Sequence, residues 1–162
     1  MIGLLDSVNE SYAAVPASLG AARRAVTTLA RAAGATQEQF EDVRLATSEA
    51  LTNVILHAYG ERPGEIHVTA AVAGGELWVL VSDDGAGLHQ GASKSGLGLG
   101  LTLIAQACDE LTIVKRSSGG TELRMRFRLG AAPGHPGEAE GQLRGSDSSA
   151  RSPASSIFST TR

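Results

Sequence analysis

The stretch from Thr47 to Tyr59 reads TSEALTNVILHAY. Glu49 and Asn53 lie four residues apart in it, so on a helix they share one face and are about one turn apart. A carboxylate there can accept a proton from an attacking hydroxyl group. An amide oxygen can bind Mg²⁺, which takes few protein ligands and keeps phosphate oxygens and water. This pattern alone more often marks a solvated helix face, so its meaning depends on what accompanies it.

A second polar stretch, VSDDGAG, runs from Val81 to Gly87 directly after an apolar strand pattern. Asp83 ends that strand and could accept a hydrogen bond from the exocyclic amine of a flat ligand. Gly85 and Gly87 supply conformational freedom and let a ligand approach the backbone closely. An ordinary Asp-Gly turn explains these residues equally well.

A third stretch, SGLGLGL, leads from Ser95 into a predicted helix. The backbone amides of Gly96, Gly98 and Gly100, together with the helix N-terminus, would form an anion site. No Gly-Lys-Ser/Thr follows, which excludes a Walker A loop. A Rossmann fingerprint is disfavoured because it would follow the first strand of a βαβ unit. A flexible hinge is the alternative, but the alternating leucines could anchor the segment in a core and argue against it.

In this order, the three stretches and the later Gly120-Thr121 resemble the nucleotide-binding boxes of the GHKL ATPases, which have the Bergerat fold. Residues 47–59 are similar to the corresponding box of the anti-sigma factor serine kinases. So is the segment that runs from GLTLI at residues 100–104 to DEL at residues 109–111. The resemblance covers about Val8 to Leu129.

The resemblance implies a role for each matching residue. Glu49 matches the general base, and Asn53 matches the ligand that links Mg²⁺ to the triphosphate. Asp83 matches the residue that binds the adenine amine. The other matches are Gly85 and Gly87 beside the base, Gly96, Gly98 and Gly100 in the phosphate loop, and Thr121, which supports Asp83.

Two further residues lie near these boxes without a motif that fixes their role. Lys94 precedes the phosphate loop and could supply positive charge to the phosphates. His57 either lines the phosphate end of the site or holds the turn at Tyr59, and we expect the structural role. No group of His, Cys and Asp has the spacing of zinc ligands.

The resemblance also implies an activity. It predicts an ATP- and Mg²⁺-dependent serine/threonine kinase that binds a sigma factor and phosphorylates a small anti-anti-sigma partner of the STAS type. A homodimer is implied by the resemblance alone. The competing hypothesis is a nucleotide-gated switch that binds a partner without transferring phosphate. Only eight residues, Leu88 to Ser95, separate the second and third boxes; this short lid favours the switch, whereas Glu49 favours the kinase.

A third hypothesis is the catalytic domain of a sensor histidine kinase. Such a domain normally follows a helical dimerisation segment that carries the phosphorylated histidine. About seven residues precede the first predicted strand, so we disfavour this interpretation.

The composition limits the partners and the compartment. The chain has 162 residues and a formal net charge of −3, which excludes a strongly basic nucleic-acid binder and predicts no direct nucleic-acid partner. Its one cysteine, Cys108, excludes a disulfide framework. No apolar run has the length of a transmembrane helix, and the first residues lack signal-peptide features. We therefore expect a cytoplasmic protein without membrane contact.

Strand and helix patterns alternate along the chain up to about Leu129. The predicted strands cover residues 8–15, 66–72, 77–81, 111–116 and 121–129, and the predicted helices cover residues 16–33, 37–59 and 101–108. Residues 83–100 are predicted to form a loop, and the strand at 77–81 is predicted to be buried. The order indicates an α+β fold, a two-layer α/β sandwich with a mostly antiparallel mixed sheet and helices on one face.

The composition changes after Gly130. Of the 32 residues from Ala131 to Arg162, 19 are Gly, Ser, Ala or Pro. Few large apolar residues remain to offset the entropy of ordering this segment. The sequence therefore predicts an ATPase domain over residues 1–130 and a disordered tail over residues 131–162.

Overall fold

The computed structural model of the chain describes residues 7–86 and 97–130. Its strands are β1 (Ser7–Ala13), β2 (Glu65–Ala73), β3 (Glu76–Asp83), β4 (Glu110–Lys115) and β5 (Thr121–Arg128). Its helices are a 3₁₀ turn (Pro16–Ser18), α1 (Leu19–Ala32), α2 (Gln37–His57) and α3 (Leu97–Ala107). None of the helices in these two ranges has the length and apolar content needed to cross a bilayer.

The strands of the described ranges form one sheet in the order β1-β2-β3-β5-β4, and every neighbouring pair is antiparallel. Alternate side chains along each strand point to opposite faces. One face is buried, and its residues on the two central strands are Leu77, Val79 and Val81 of β3 and Leu123, Met125 and Phe127 of β5. Apolar residues of the helices complete the same core. The predicted α+β two-layer fold is confirmed.

Strand β3 differs from its prediction as a fully buried strand. Leu77, Val79 and Val81 are buried, but Trp78 between them is 37 % exposed and Leu80 is half-buried. Because the helices cover only one face of the sheet, alternate residues of this apolar run point to the uncovered face.

Helix α2 begins at a capping box formed by Thr36 and Gln39. The Thr36 hydroxyl accepts a hydrogen bond from the Gln39 N–H at 3.2 Å, and the Gln39 side chain accepts one from the Thr36 N–H at 3.0 Å. These bonds satisfy donors that the first turn of a helix otherwise leaves unpaired. The helix ends at His57, two residues before the predicted end.

The prediction of a loop from residue 83 to residue 100 was wrong at both ends. Strand β3 includes Asp83, and α3 begins at Leu97, so Gly98 and Gly100 lie in the first turn of a helix. Each glycine costs a helix roughly 1 kcal/mol relative to alanine. The fully buried Ile104 packs this helix into the core, and the Thr102 hydroxyl donates a hydrogen bond to the Gly98 carbonyl at 2.8 Å. Such packing offsets a weak local propensity.

Candidate functional site

At one end of the sheet, the buried face changes from apolar to polar side chains. The inward row of β3 continues from Val81 to Asp83, and the inward row of β5 begins with Thr121 before Leu123. Both polar residues are buried, at 4 % and 6 % exposure. Buried polar groups are costly unless they are satisfied, so two of them at the end of an apolar row indicate a site.

A pocket lies over these two residues, between the sheet and the last turns of α2. It is lined by Asn53, Val54, His57, Ala58, Val81, Asp83, Thr121 and Leu123. The surface of the pocket is mostly apolar, although four of its eight residues have polar side chains. Such a lining suits a flat ligand with a few hydrogen-bonding groups on its edge.

Asp83 is the buried carboxylate of this pocket. It accepts a hydrogen bond from the Gly85 N–H at 2.9 Å and another from the backbone N–H of Thr121. Burial raises the pKa of Asp83 above its ordinary value, while these two N–H donors act in the opposite direction. A carboxylate has about four acceptor positions, so capacity remains for an N–H donor of a ligand.

Two glycines let the backbone close around Asp83. A Cβ on Gly85 would overlap the carbonyl oxygen of Ala58, which accepts a hydrogen bond from the Ala86 N–H at 2.8 Å. A Cβ on Gly120, where φ is +71°, would overlap the carbonyl oxygen of Asp83. The close neighbour of Gly85 is therefore the end of α2, a contact that we had not foreseen for this residue.

Glu49 and Asn53 meet the first turn of α3. Asn53 is 8 % exposed, and its side-chain nitrogen has no hydrogen-bond partner in the described part of the chain. A Cβ on Gly100 would lie 3.1 Å from Glu49 Oε2 and 3.3 Å from Asn53 Oδ1. The structure thus brings Glu49, Asn53 and Gly100 together, and Asn53 also lines the pocket with Asp83.

The remaining predicted residues divide into two groups. Gly98 is exposed, and a Cβ on it would meet nothing within 4 Å. Gly87, Lys94 and Gly96 lie outside the described residues.

Three further residues lie at or next to the site in positions that differ from our expectation or had none. His57 lines the pocket one turn beyond Asn53. Tyr59 takes the role that we expected of His57, because its hydroxyl donates to the Glu65 carbonyl at 2.6 Å across the turn. Arg116 lies in the turn between β4 and β5 and donates a hydrogen bond to the Asp83 carbonyl at 3.2 Å. The Tyr59 ring could be inferred from its place in the box, but Arg116 has no sequence signal.

No group of three or more His, Cys, Asp and Glu residues able to hold a metal ion occurs within residues 7–86 and 97–130. Mg²⁺ takes few ligands from a protein and usually keeps water and substrate phosphates. The buried amide of Asn53 is the neutral oxygen ligand that fits such an ion.

A comparison with known families is consistent with this site. The profile described as a histidine kinase-like ATPase domain matches residues 12–127. The chain belongs to this family. Membership in an ATPase family implies ATP binding, and the matched range contains the pocket and α3.

Several curated proteins are similar to this chain over most of its length. The Anti-sigma F factor of Clostridium novyi (strain NT) is 30 % identical over 138 residues, which cover 78 % of this chain and 90 % of that protein. The Anti-sigma F factor of Thermoanaerobacter sp. (strain X514) is 29 % identical over 139 residues, 79 % of this chain and 91 % of that protein. That of Shouchella clausii (strain KSM-K16) is 26 % identical over 138 residues, 78 % of this chain and 94 % of that protein.

Proposed function

We propose that this chain is an ATP-binding anti-sigma factor and a serine/threonine protein kinase. In this proposal it sequesters a sigma factor and phosphorylates a serine or threonine of an anti-anti-sigma protein of the STAS type. The similarity to proteins named Anti-sigma F factor, over 78–79 % of this chain in the three relatives described, supports the anti-sigma assignment. The observation that carries the nucleotide assignment is the pair of buried polar residues, Asp83 and Thr121, at the end of an apolar row.

The pocket suits adenine. The flat faces of the base would contact the apolar lining, which consists of Val54, Ala58, Val81 and Leu123. Its exocyclic amine would donate to the free acceptor positions of Asp83, and Thr121 would support that carboxylate. Guanine presents a carbonyl oxygen where adenine presents the amine, and two facing acceptors repel each other. We therefore expect a preference for ATP over GTP.

The first turn of α3 is the proposed place of the phosphates. The first N–H groups of a helix have no partner within the helix and attract anions. Gly100, in this turn, lies against Asn53, which would hold Mg²⁺ through its amide oxygen. The bound ion would neutralise phosphate charge. The resemblance assigns Gly96 and Gly98 to the same region and Gly87 to the base, and Lys94, which directly precedes this loop in the sequence, would add positive charge there.

Glu49 is the proposed general base. A carboxylate beside a triphosphate opposes nucleotide binding by charge repulsion. Its place next to Asn53 and Gly100 is reasonable for a group that takes the proton from an attacking hydroxyl. The partner's serine or threonine would supply that hydroxyl, and Glu49 supports the kinase over the competing hypothesis of a switch without phosphoryl transfer.

The switch remains the second candidate because of the short segment between Gly87 and Gly96. A short lid excludes water from the phosphates less completely than a long one. In both proposals the protein acts in the cytoplasm, where its sigma factor works, without direct contact with nucleic acid or membrane. A homodimer is part of the proposal by resemblance alone.

Two substitutions on α2 separate the kinase from the switch. Asn53→Ala should lose Mg²⁺-dependent ATP affinity and phosphoryl transfer together. Glu49→Gln should keep ATP affinity, or raise it slightly, while transfer falls by roughly 10²–10⁴, the usual contribution of a general base. The measurements are calorimetry with ATP and Mg²⁺, and transfer of labelled phosphate to a co-purified partner.

Glu41→Gln is the matched control, because it removes one carboxylate from an exposed ion pair with Arg44 on the same helix. It should leave both measurements unchanged. If the wild type transfers no phosphate to any partner that it demonstrably binds, the switch becomes the better account. If Glu49→Gln transfers as fast as the wild type, Glu49 is not the base.

A further inference from the structure

Asp84 follows Asp83 but lies on the other side of the sheet end. Its carboxylate is 46 % exposed and has three partners. Arg116 Nη1 donates to Oδ1 at 2.7 Å, and the Ser118 hydroxyl donates to Oδ1 at 3.2 Å. His67 Nε2 lies 3.1 Å from Oδ2. The partners come from β2 and from the turn between β4 and β5, so Asp84 joins two parts of the sheet.

The peptide group between Asp83 and Asp84 is held at both of its polar atoms by side chains. Its carbonyl oxygen, which belongs to Asp83, accepts a hydrogen bond from Arg116 at 3.2 Å. Its N–H, which belongs to Asp84, donates to the Tyr59 hydroxyl at 2.9 Å. The Asp83 side chain leaves the backbone directly before this peptide group. A fixed peptide group restricts the backbone at Asp83 and therefore the direction of its Cα–Cβ bond, which carries the carboxylate toward the pocket.

We propose that Asp84 is a positioning residue for nucleotide recognition, which fixes Arg116 against the Asp83–Asp84 peptide and so aims the Asp83 carboxylate into the pocket. This inference rests on the proposed nucleotide-binding function. Asp84 does not line the pocket, and it acts through Asp83 rather than through the ligand.

His67 completes the arrangement in either of its protonation states. With a single proton, on Nε2, it donates to Asp84, and its Nδ1 accepts from the Ser11 hydroxyl, whose oxygen lies 2.8 Å away. With two protons it still donates to Asp84 through Nε2, and Nδ1 donates to Ser11. Arg116 and Ser118 donate to the same carboxylate, so Asp84 has three donors when His67 donates through Nε2.

Because Asp84 is charged, the direction in which ATP affinity changes when Asp84 is neutralised tests the proposal. Burial is the main cause of the raised pKa of Asp83, and repulsion by the Asp84 carboxylate adds to it. The Asp84 carboxylate also repels a bound triphosphate. If Asp84 acted by charge alone, neutralising it would tighten ATP binding. If it positions Asp83, neutralising it weakens ATP binding, because a neutral amide at this position would hold Arg116 without the attraction between opposite charges.

The experiment measures the dissociation constants of ATP and GTP by calorimetry for the wild type and for Asp84→Asn. We expect ATP binding about fivefold weaker, the size that one lost hydrogen bond gives, and GTP binding unchanged. The same substitution in an Asp83→Asn background should have no further effect on ATP, because coupled residues are not additive. Glu41→Gln, which removes an exposed carboxylate on α2, is the control for the loss of one charge.

Tyr59→Phe is a second variant, because it removes the hydroxyl that accepts from the Asp84 N–H and donates to the Glu65 carbonyl. It should also weaken ATP binding selectively, and it carries the test if Asp84→Asn does not fold. Unchanged or tighter ATP binding in the variants overturns the proposal, and so do equal losses for ATP and GTP or a loss that persists in the Asp83→Asn background. A wild type that binds no ATP overturns the proposed function itself, together with this role.

Discussion

The burial of Asp83 places its side chain in the pocket, but it also opposes ionisation of the carboxyl group. Burial favours the neutral acid, whereas a hydrogen bond from a ligand N–H is stronger to the carboxylate. The backbone donors at Gly85 and Thr121 favour the carboxylate. These backbone contacts therefore oppose the effect of burial on Asp83, and a bound amine would act in the same direction.

This balance predicts a pH dependence of ATP binding. The pKa of Asp83 is raised above its ordinary value of 3.8, so protonation competes with the ligand at a higher pH than for an ordinary carboxyl. ATP affinity should therefore fall as the pH is lowered, and the loss should begin before ordinary carboxyl groups titrate. Calorimetry from about pH 7 downward measures this.

Asp83→Asn is the reference for this experiment. It should weaken ATP binding by about 1–3 kcal/mol at neutral pH. The pH dependence of ATP affinity that remains in this variant comes from titration of the nucleotide and of other groups. The difference between the pH curves of the variant and the wild type is the contribution of Asp83. Parallel pH curves for the two proteins would contradict the assignment.

Single residues of the site were predictable where they repeat a local pattern. Asn53 follows Glu49 by one helical turn, and Asp83 ends an apolar strand, so short-range spacing suffices for both. Arg116 reaches Asp83 across 33 positions of sequence, and an arginine in a turn has no pattern that indicates such a contact. Long-range partners of this kind could not be read from one sequence.

At the scale of elements, the contact between α2 and α3 depends on a missing side chain. Gly98 and Gly100 both lie in the first turn of α3, yet a Cβ meets nothing at Gly98, and at Gly100 it lies 3.1 Å from Glu49 Oε2. Neither glycine has a positive φ. The two positions differ in packing and share their helical conformation.

The two glycines give a matched pair of substitutions. Gly98→Ala should raise the free energy of unfolding by about 0.5–1 kcal/mol, since alanine favours the helix and restricts the unfolded chain. Gly100→Ala should gain less, or lose stability, because its methyl group presses on Glu49 and Asn53. Denaturant unfolding measures both, and an equal gain would show that α3 does not rest on these side chains.

The helices and strands were mostly predictable because their signals are local. The Thr-x-x-Gln pattern at residues 36–39 is typical of the start of a helix, and the adjacent glycines Gly74 and Gly75, with φ of +59° and +79°, are typical of a hairpin turn. The start of α3 was missed, because glycine weakens a helix in any local estimate. Packing against α2 supplies what propensity lacks, and packing is a property of the tertiary structure.

For the whole molecule, the order of the strands was beyond local patterns. In the sheet, β5 lies between β3 and β4. After the central strand β3, the chain passes through α3 to the edge strand β4 and then returns as β5, which pairs with β3. This path places Thr121 beside Asp83 and creates the pocket. Family resemblance implied this arrangement, whereas spacing and periodicity did not.

The division of the chain at residue 130 is a prediction of composition, and residues 131–162 lie outside the described ranges. Contacts of the last described residues favour it, since the Leu129 N–H donates to the Gly75 carbonyl at 2.8 Å and Gly130 binds Gln39. Deleting residues 131–162 should therefore leave the melting temperature and the ATP affinity unchanged. Thermal unfolding and calorimetry test this, and a drop of several degrees would place the boundary elsewhere.

The side chain of Gln39 fastens two distant points of the chain. It closes the first turn of α2 through Thr36, and it bonds both the carbonyl and the N–H of Gly130, at 3.1 Å and 3.4 Å. Any tension on the segment beyond residue 130 would therefore be borne by the start of α2 as well as by β5. If another molecule bound that segment, a force on it would be transmitted to α2 through Gln39. The other end of α2 carries Asn53 and His57, so such a force would act on residues that line the pocket.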